Sequence, residues 1–330
     1  MSTRRGGVLK SQRWAGFVSA LADDIRLFID AKRALGRKYW TDERVLRLFD
    51  RFLFEEDVSA PTELSAELLE RFLQRAPSAR HYNGLLAIVR RFLRWLVLHE
   101  KLDRLPLRAR RRRVTPRAPF IFDVELARRL LESTEKLRDG SRSRRRAPLY
   151  RAVFALCYGL GLRVSEACRL RRLDVDFQCN ILTIRNSKFG KSRLVPFGPR
   201  MAALLREYSR KQTSQAAEGP LFTFDGRRPV HAGNVSMTFL RLTREMELRI
   251  PPGASPPRLH DLRHSFAVGT LLRWYREGVN AASRLHFLST FMGHVDPAST
   301  AVYLTITDDL LQEANRRFET FASIAKAVRS

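Results

Sequence analysis

Residues 258–267 read RLHDLRHSFA, and the rest of the chain is best read outward from these ten positions. His260 and His264 stand four apart, so on a helix they share one face. That is also the spacing of two zinc ligands. The protease form of the motif needs Glu beside the first His, however, and here Asp261 stands there, while Arg263 adds a positive charge that repels a cation. A metal site is therefore not expected, and the stretch reads as a cationic, hydrogen-bonding cluster.

Toward the C-terminus, GHVDPASTAVYL (residues 293–304) supplies His294 and, nine residues later, Tyr303. Toward the N-terminus, GLGLRVSEACRL (residues 159–170) supplies Arg163 at the opening of a helix, with Glu166 three residues on and placed to orient its guanidinium. Between them lies IRNSKFGKSRLVPF (residues 184–197). With the β-rich run before it, this predicts a hairpin with Lys188 and Lys191 near its tip and Arg193 following. Two nucleotide motifs fail. Gly190-Lys191-Ser192 has Arg185 where a phosphate loop needs its first glycine, and it leads into a strand; Gly159-Leu160-Gly161 has Val164 where a dinucleotide fingerprint needs its last. No cofactor is expected.

The N-terminal third is of another kind. Residues 17–101 show apolar positions at helical spacing in four segments, among them one opening at Pro61 and a longer one from Ser78 to about Lys101. The polar face of that last segment carries Arg80, Arg90, Arg91 and Arg94: a solvated face, or a surface for DNA. The pattern then breaks into LPLRARRRRVTPRAP, whose prolines and unbroken run Arg110, Arg111, Arg112 and Arg113 read as a basic linker. The expected organisation is a helical domain over residues 1–105, a linker over 106–119 and a second domain over 120–330. In the second domain further helices surround the hairpin, and an amphipathic helix over 308–328 ends the chain. The fold class is mainly α with a small β-sheet.

Charge names the partner class. The 330 residues carry 61 Lys+Arg against 34 Asp+Glu, a net +27, divided as +12 before residue 120 and +15 after it. A polyanion held between two basic halves fits that division better than one basic tail does. No apolar run reaches the ~18 residues of a membrane span, so a soluble, cytoplasmic protein is expected. Cys157, Cys168 and Cys179 form no C-x-x-C pair and read as buried free thiols.

The order Arg163, hairpin Lys188, His260-x-x-Arg263, Gly293-His294 and Tyr303, with its local contexts, resembles the tyrosine recombinase (integrase) family over most of residues 120–330. The resemblance implies a helical, SAM-like core-binding domain joined to a mixed α/β catalytic domain. It also implies a cofactor-free reaction on double-stranded DNA. Tyr303 would be the nucleophile forming a 3′-phosphotyrosyl link, and Arg163 and Arg263 the clamp on the phosphate oxygens. Lys188 (with Lys191 as its rival) would be the acid for the leaving 5′-oxygen, His260 a shuttle for the tyrosine proton, and His294 a further donor. Arg80, Arg90, Arg91, Arg94, Arg110–Arg113, Lys191 and Arg193 are expected against DNA. Four protomers on two sites would exchange strands through a Holliday junction, alone or with an accessory recombinase or DNA-bending protein, in a bacterial cell and on its nucleoid. Integration, excision or transposition of a mobile element is the favoured role. The residues 264–293 look longer than in compact dimer-resolving members of the family. Dimer resolution, relaxation of the type IB topoisomerase kind and non-catalytic DNA binding remain as alternatives.

Overall fold

The computed structural model describes residues 16–115, 117–141, 143–185, 192–212, 216–294, 298–301 and 303. The chain divides into two compact units, Met1–Pro116 and Arg117–Ser330.

Among its described residues the first unit holds four α-helices: α1 (Ala22–Ala34), α2 (Trp40–Glu55), α3 (Ala66–Gln74) and α4 (Ala79–Leu98). Ser65 and Ser78 start α3 and α4 by accepting the backbone N–H of Leu68 at 3.1 Å and of His81 at 3.2 Å, which satisfies donors that a helix start otherwise leaves open. Phe28, Phe49, Phe72 and Phe92 meet edge to face in the core. Buried Asp50 accepts from the backbone of Val18 and from both the backbone and hydroxyl of Ser19, fixing the approach to α1.

The expected linker is in part a docked segment. Leu105, Leu107 and Ala109 pack on this core. Arg90 Nη2 donates to the Ala109 carbonyl at 2.6 Å. The Asn83 side-chain amide pairs with both backbone groups of Arg112, each at 2.8 Å, as a neighbouring strand would. The Arg112 guanidinium lies 3.7 Å from the centre of the Tyr82 ring. The prolines do prevent a helix or strand here. They do not prevent packing, because α4 supplies the missing hydrogen-bond partners from its side chains.

The second unit is built around α6 (Arg146–Gly159), whose residues from Leu149 to Cys157 are buried almost all round, the mark of a central helix. Around it pack α5 (Val124–Ser133), α7 (Val164–Cys168), α8 (Pro199–Arg210) and α10 (Asp261–Arg276), with α9 (Ala232–Glu245) against α5 and α7. The antiparallel sheet runs β1 (Val175–Asp176), β2 (Ile181–Ile184), β3 (Arg193–Pro196), with Leu182 opposite both Val175 and Val195. The hairpin is as the sequence predicts, while its tip with Lys188 and Lys191 lies outside the described residues. Strand β1 is two residues long, too short to show a period.

Residues 264–293, the segment that looks long in the sequence, are part of the packed core. They are the remainder of α10, a tight turn, and α11 (Ala281–Met292), whose apolar faces share a cluster with Tyr303. A short α12 (Ala298–Ala301) follows, and the amphipathic helix expected at 308–328 lies outside the described residues. Cys157 and Cys168 are buried free thiols. Cys179 is exposed, because the turn after Asp176 carries it outward.

Candidate active site

The site begins with two glycines. Gly161 has φ +61, and a Cβ there would fall 2.5 Å from the Phe266 ring on α10. Gly293 ends α11 with φ +68, and a Cβ there would meet the Arg193 guanidinium at 2.8 Å. Both conformations favour glycine, and both turns aim a carbonyl at an arginine. Gly161 O accepts from Arg263 Nη1 at 2.5 Å, and Gly293 O accepts from Arg163 Nη2 at 2.9 Å. Arg263 Nη2 also donates to Met292 O at 2.7 Å, so one guanidinium ties the Gly161 turn to the end of α11.

Arg163 precedes α7, and Glu166 reaches back to accept its backbone N–H at 3.0 Å and its Nη1 at 2.7 Å. The same carboxylate takes a two-pronged contact from Arg193, at 3.0 and 2.9 Å, while Arg193 Nε donates to Phe291 O at 2.8 Å. Arg193, expected on DNA, is thus turned inward with its side chain only 10% exposed. The reason is the strand period: Leu194 faces out, and Arg193 shares the side of fully buried Val195. That alternation was the available signal for its true place. Burial alone would raise the Glu166 pKa, but hydrogen bonds and charge from Arg193 and Arg163 hold it down at about 2. Glu166 is an anion that preorganises two guanidiniums.

Arg263 is 1% exposed, yet it is a cation, and its pKa is pushed down to about 10 by burial first and by Arg163 second. Each of Arg163 and Arg263 has five N–H donors, of which these contacts use two, so both retain donors for an anion.

His260, His264, His294 and Tyr303 complete the cluster. The first two rings meet edge to face at 4.7 Å on the first turn of α10. That turn is fixed by Ser265 Oγ, which donates to Asp261 O at 2.7 Å and accepts Phe122 N–H at 2.8 Å. His294 Nδ1 lies 2.7 Å from Thr300 Oγ1, and its ring stacks over Tyr303 at 6.4 Å. Burial, then the charge of Arg263 and Arg163, lowers His260 and His294 to about 4; burial and neighbouring His260 lower His264 to about 3. All three are neutral at pH 7.

Tyr303 is 4% exposed, and its Oη lies 2.8 Å from His264 Nδ1. The expected partner of the phenol is His260, and the structure gives that place to His264. The sequence held no sign of this beyond the spacing of four from His260, since the contact joins positions 39 residues apart. The cationic field does act on the phenol, but burial outweighs Arg263 and Arg163, and its pKa is raised.

The structure therefore brings together Arg163, Glu166, Arg193, His260, Arg263, His264, His294 and Tyr303. In the first unit, Arg91 pairs with Asp42 and Arg90 holds Ala109, while Arg80, Arg94 and Arg110–Arg113 are exposed.

A family model described as the phage integrase family matches residues 125–309, more than half of the chain and the whole of this cluster. The chain belongs to the phage integrase family. A Sinorhizobium fredii protein named as integrase/recombinase y4rB is 36% identical over 314 residues, covering 92% of this chain and 98% of that one. Tyrosine recombinase XerA of Pyrococcus furiosus is 27% identical, covering 83% and 88%. Among solved structures, a lambda integrase dimer bound to a COC′ core site aligns with TM-score 0.65 at 16% identity over 86% of this chain and 76% of that one. The Tn1549 transposon integrase in complex with a circular intermediate DNA aligns with TM-score 0.61 at 17% identity over 89% and 99%. The mostly helical fold with its three-stranded sheet is that of the integrases, and this family member is a tyrosine recombinase, a DNA strand transferase. Among the described residues, no helix is long and apolar enough to cross a membrane.

Proposed function

We propose that this integrase-family protein cuts and rejoins double-stranded DNA at specific sites through a 3′-phosphotyrosyl link at Tyr303. The observation that carries the reading is the convergence of Tyr303 with two preorganised guanidiniums and three neutral histidines in one half-enclosed cluster. A phosphodiester entering it would place its non-bridging oxygens on Arg163 and Arg263, whose charge is fixed and whose forks match an equatorial pair of oxygens. Donors aimed where charge develops stabilise the phosphorane most, and they need no reorganisation. The phosphate's own negative charge enters beside the phenol, so the guanidiniums, already opposing burial, carry the ionisation of Tyr303. His260 and His294 serve as further donors, Lys188 is the acid for the 5′-oxygen, and neither metal nor ATP takes part. The link conserves the energy of the phosphodiester, so a second 5′-hydroxyl can reverse the reaction on a new strand.

Strand exchange of this kind needs four protomers on two sites, and a lambda integrase tetramer bound to a Holliday junction shares this fold at TM-score 0.64. We assign the exchange to integration, excision or transposition of a mobile element, in keeping with the integrase/recombinase name of the relative that matches 92% of the chain.

The test uses DNA flanking the protein's own gene, in EDTA and without nucleotide, resolved on a denaturing gel. The expected result is a covalent protein–DNA adduct with wild type and none with Tyr303→Phe. An adduct that survives the substitution removes Tyr303 as nucleophile, and cutting that needs added metal removes the proposed chemistry.

A further inference from the structure

We propose that His264, with Asp261 behind it, is the base that takes the proton from Tyr303. The inference rests on Tyr303 being the nucleophile, and it gives a reaction role to two residues that the order of motifs leaves as structural.

The phenol, the imidazole and a carboxylate stand in sequence, the first pair in hydrogen-bond contact and the second within charge range. Tyr303 Oη lies 2.8 Å from His264 Nδ1, and on the far side of the ring His264 Nε2 lies 4.0 Å from Asp261 Oδ1. Asp261 is fully buried, and its carboxylate is fixed by the Arg258 backbone N–H at 2.8 Å and the Arg258 guanidinium at 3.2 Å. A carboxylate on the Nε2 side favours the tautomer with its proton on Nε2, which leaves the Nδ1 lone pair facing the phenol. The edge of His260 packs on the His264 ring and holds its plane. The other histidines are placed less well for this step: His294 has its Nδ1 on Thr300, and His260 meets His264 rather than the phenol.

In the step, the Tyr303 O–H bond breaks with its proton passing to Nδ1, the phenolate oxygen bonds to phosphorus, and the P–O5′ bond breaks with the acid protonating the leaving oxygen. One proton is gained at His264 and one is lost at the acid. Rejoining runs the transfers backward, the imidazolium returning its proton to Tyr303. The groups facing His264 are His260, Asp261 and Arg263 on α10, Arg258 before it, His294 after α11, and Tyr303 itself. Burial and these cations keep the ring neutral and oppose its protonation, while the Asp261 carboxylate and an incoming phosphate favour its charged form, so the transfer is coupled to phosphate entry.

Two measurements on the full chain test the proposal. The first needs no DNA. Nitrogen NMR of histidine-labelled protein, with His264→Gln identifying the resonance, is expected to show Nε2 protonated and Nδ1 bare; a proton on Nδ1 overturns the assignment. The second is the single-turnover rate of adduct formation on DNA that wild type cuts. His264→Ala is expected to slow cutting by ~10²–10⁴-fold, with partial rescue by added imidazole and with DNA binding retained. His264→Gln, which can still accept a hydrogen bond but cannot take the proton, is expected to stay slow. Cutting by either variant within a few-fold of wild type overturns the proposal, as does a slow His264→Ala that no imidazole rescues. An adduct that persists in Tyr303→Phe fails the nucleophile assignment itself and this inference with it.

Discussion

Two sets of arginines do opposite work in this molecule. On α4 and the segment after it, Arg80, Arg94, Arg110, Arg111 and Arg113 reach into solvent, while Arg112 lies over the Tyr82 ring. In the second unit, Arg263 and Arg193 are withdrawn from solvent and bonded to backbone carbonyls and to Glu166. An exposed guanidinium costs little to keep charged and is screened by salt. A buried one must have acceptors, or it destabilises the fold. Net charge alone cannot separate the two sets, because it counts them alike.

Arg263 is the buried arginine whose loss costs most. Arg263→Ala leaves two buried carbonyls without donors, and a loss of about 3 kcal/mol in urea unfolding is expected. Arg263→Lys keeps the charge but cannot span Gly161 and Met292 while also meeting a phosphate. Adduct formation on a cut DNA is expected to fall by at least ~100-fold.

Glu166 sharpens the buried side. Its pKa is held at about 2 against an ordinary 4.5, so its stabilising effect is complete above pH 4.5 and disappears as pH falls toward 2. Wild type is expected to exceed Glu166→Gln by about 3 kcal/mol at pH 7, with the gap closing between pH 4.5 and 2 in paired urea titrations. The histidines act in a higher window. Held below their ordinary 6.5, at about 4 for His260 and His294 and about 3 for His264, they stay neutral in the fold while the unfolded chain takes up protons. Stability should therefore already decline as pH drops below 6.5, and replacing His264 by Gln should flatten that decline.

The smallest effects belong to the surface. Arg80→Ala and Arg94→Ala should each leave unfolding within about 0.5 kcal/mol of wild type. Each should lower the salt dependence of DNA binding by about one counterion in a binding isotherm series. An arginine that moves stability instead belongs with the buried set.

What the sequence made legible follows the range of the interactions. Helical spacing located α1–α4, and the β-rich runs on either side of Gly190 located the hairpin, because both signals repeat over a few residues. The order Arg163, His260, Arg263, His294, Tyr303 located the cluster, because those residues stand in marked local contexts. Contacts between distant positions were not legible. His264 meets Tyr303, Arg193 meets Glu166, and Asn83 meets Arg112 across 39, 27 and 29 residues, each through a fold that must first form. Arg193 was a partial exception, since the two-residue period of β3 points it inward beside Val195. The segment after α4 was the plainest misreading: proline and arginine describe what a backbone cannot do by itself, and the side chains of α4 supply the rest.

The concealment of Tyr303 sets an order of encounter. Tyr303, the proposed nucleophile, is kept at 4% exposure, its hydroxyl occupied by a neutral ring. Arg163, with a fifth of its side chain exposed, is more accessible than either Tyr303 or Arg263, so under the proposed chemistry a passing phosphodiester would meet that guanidinium before the phenol.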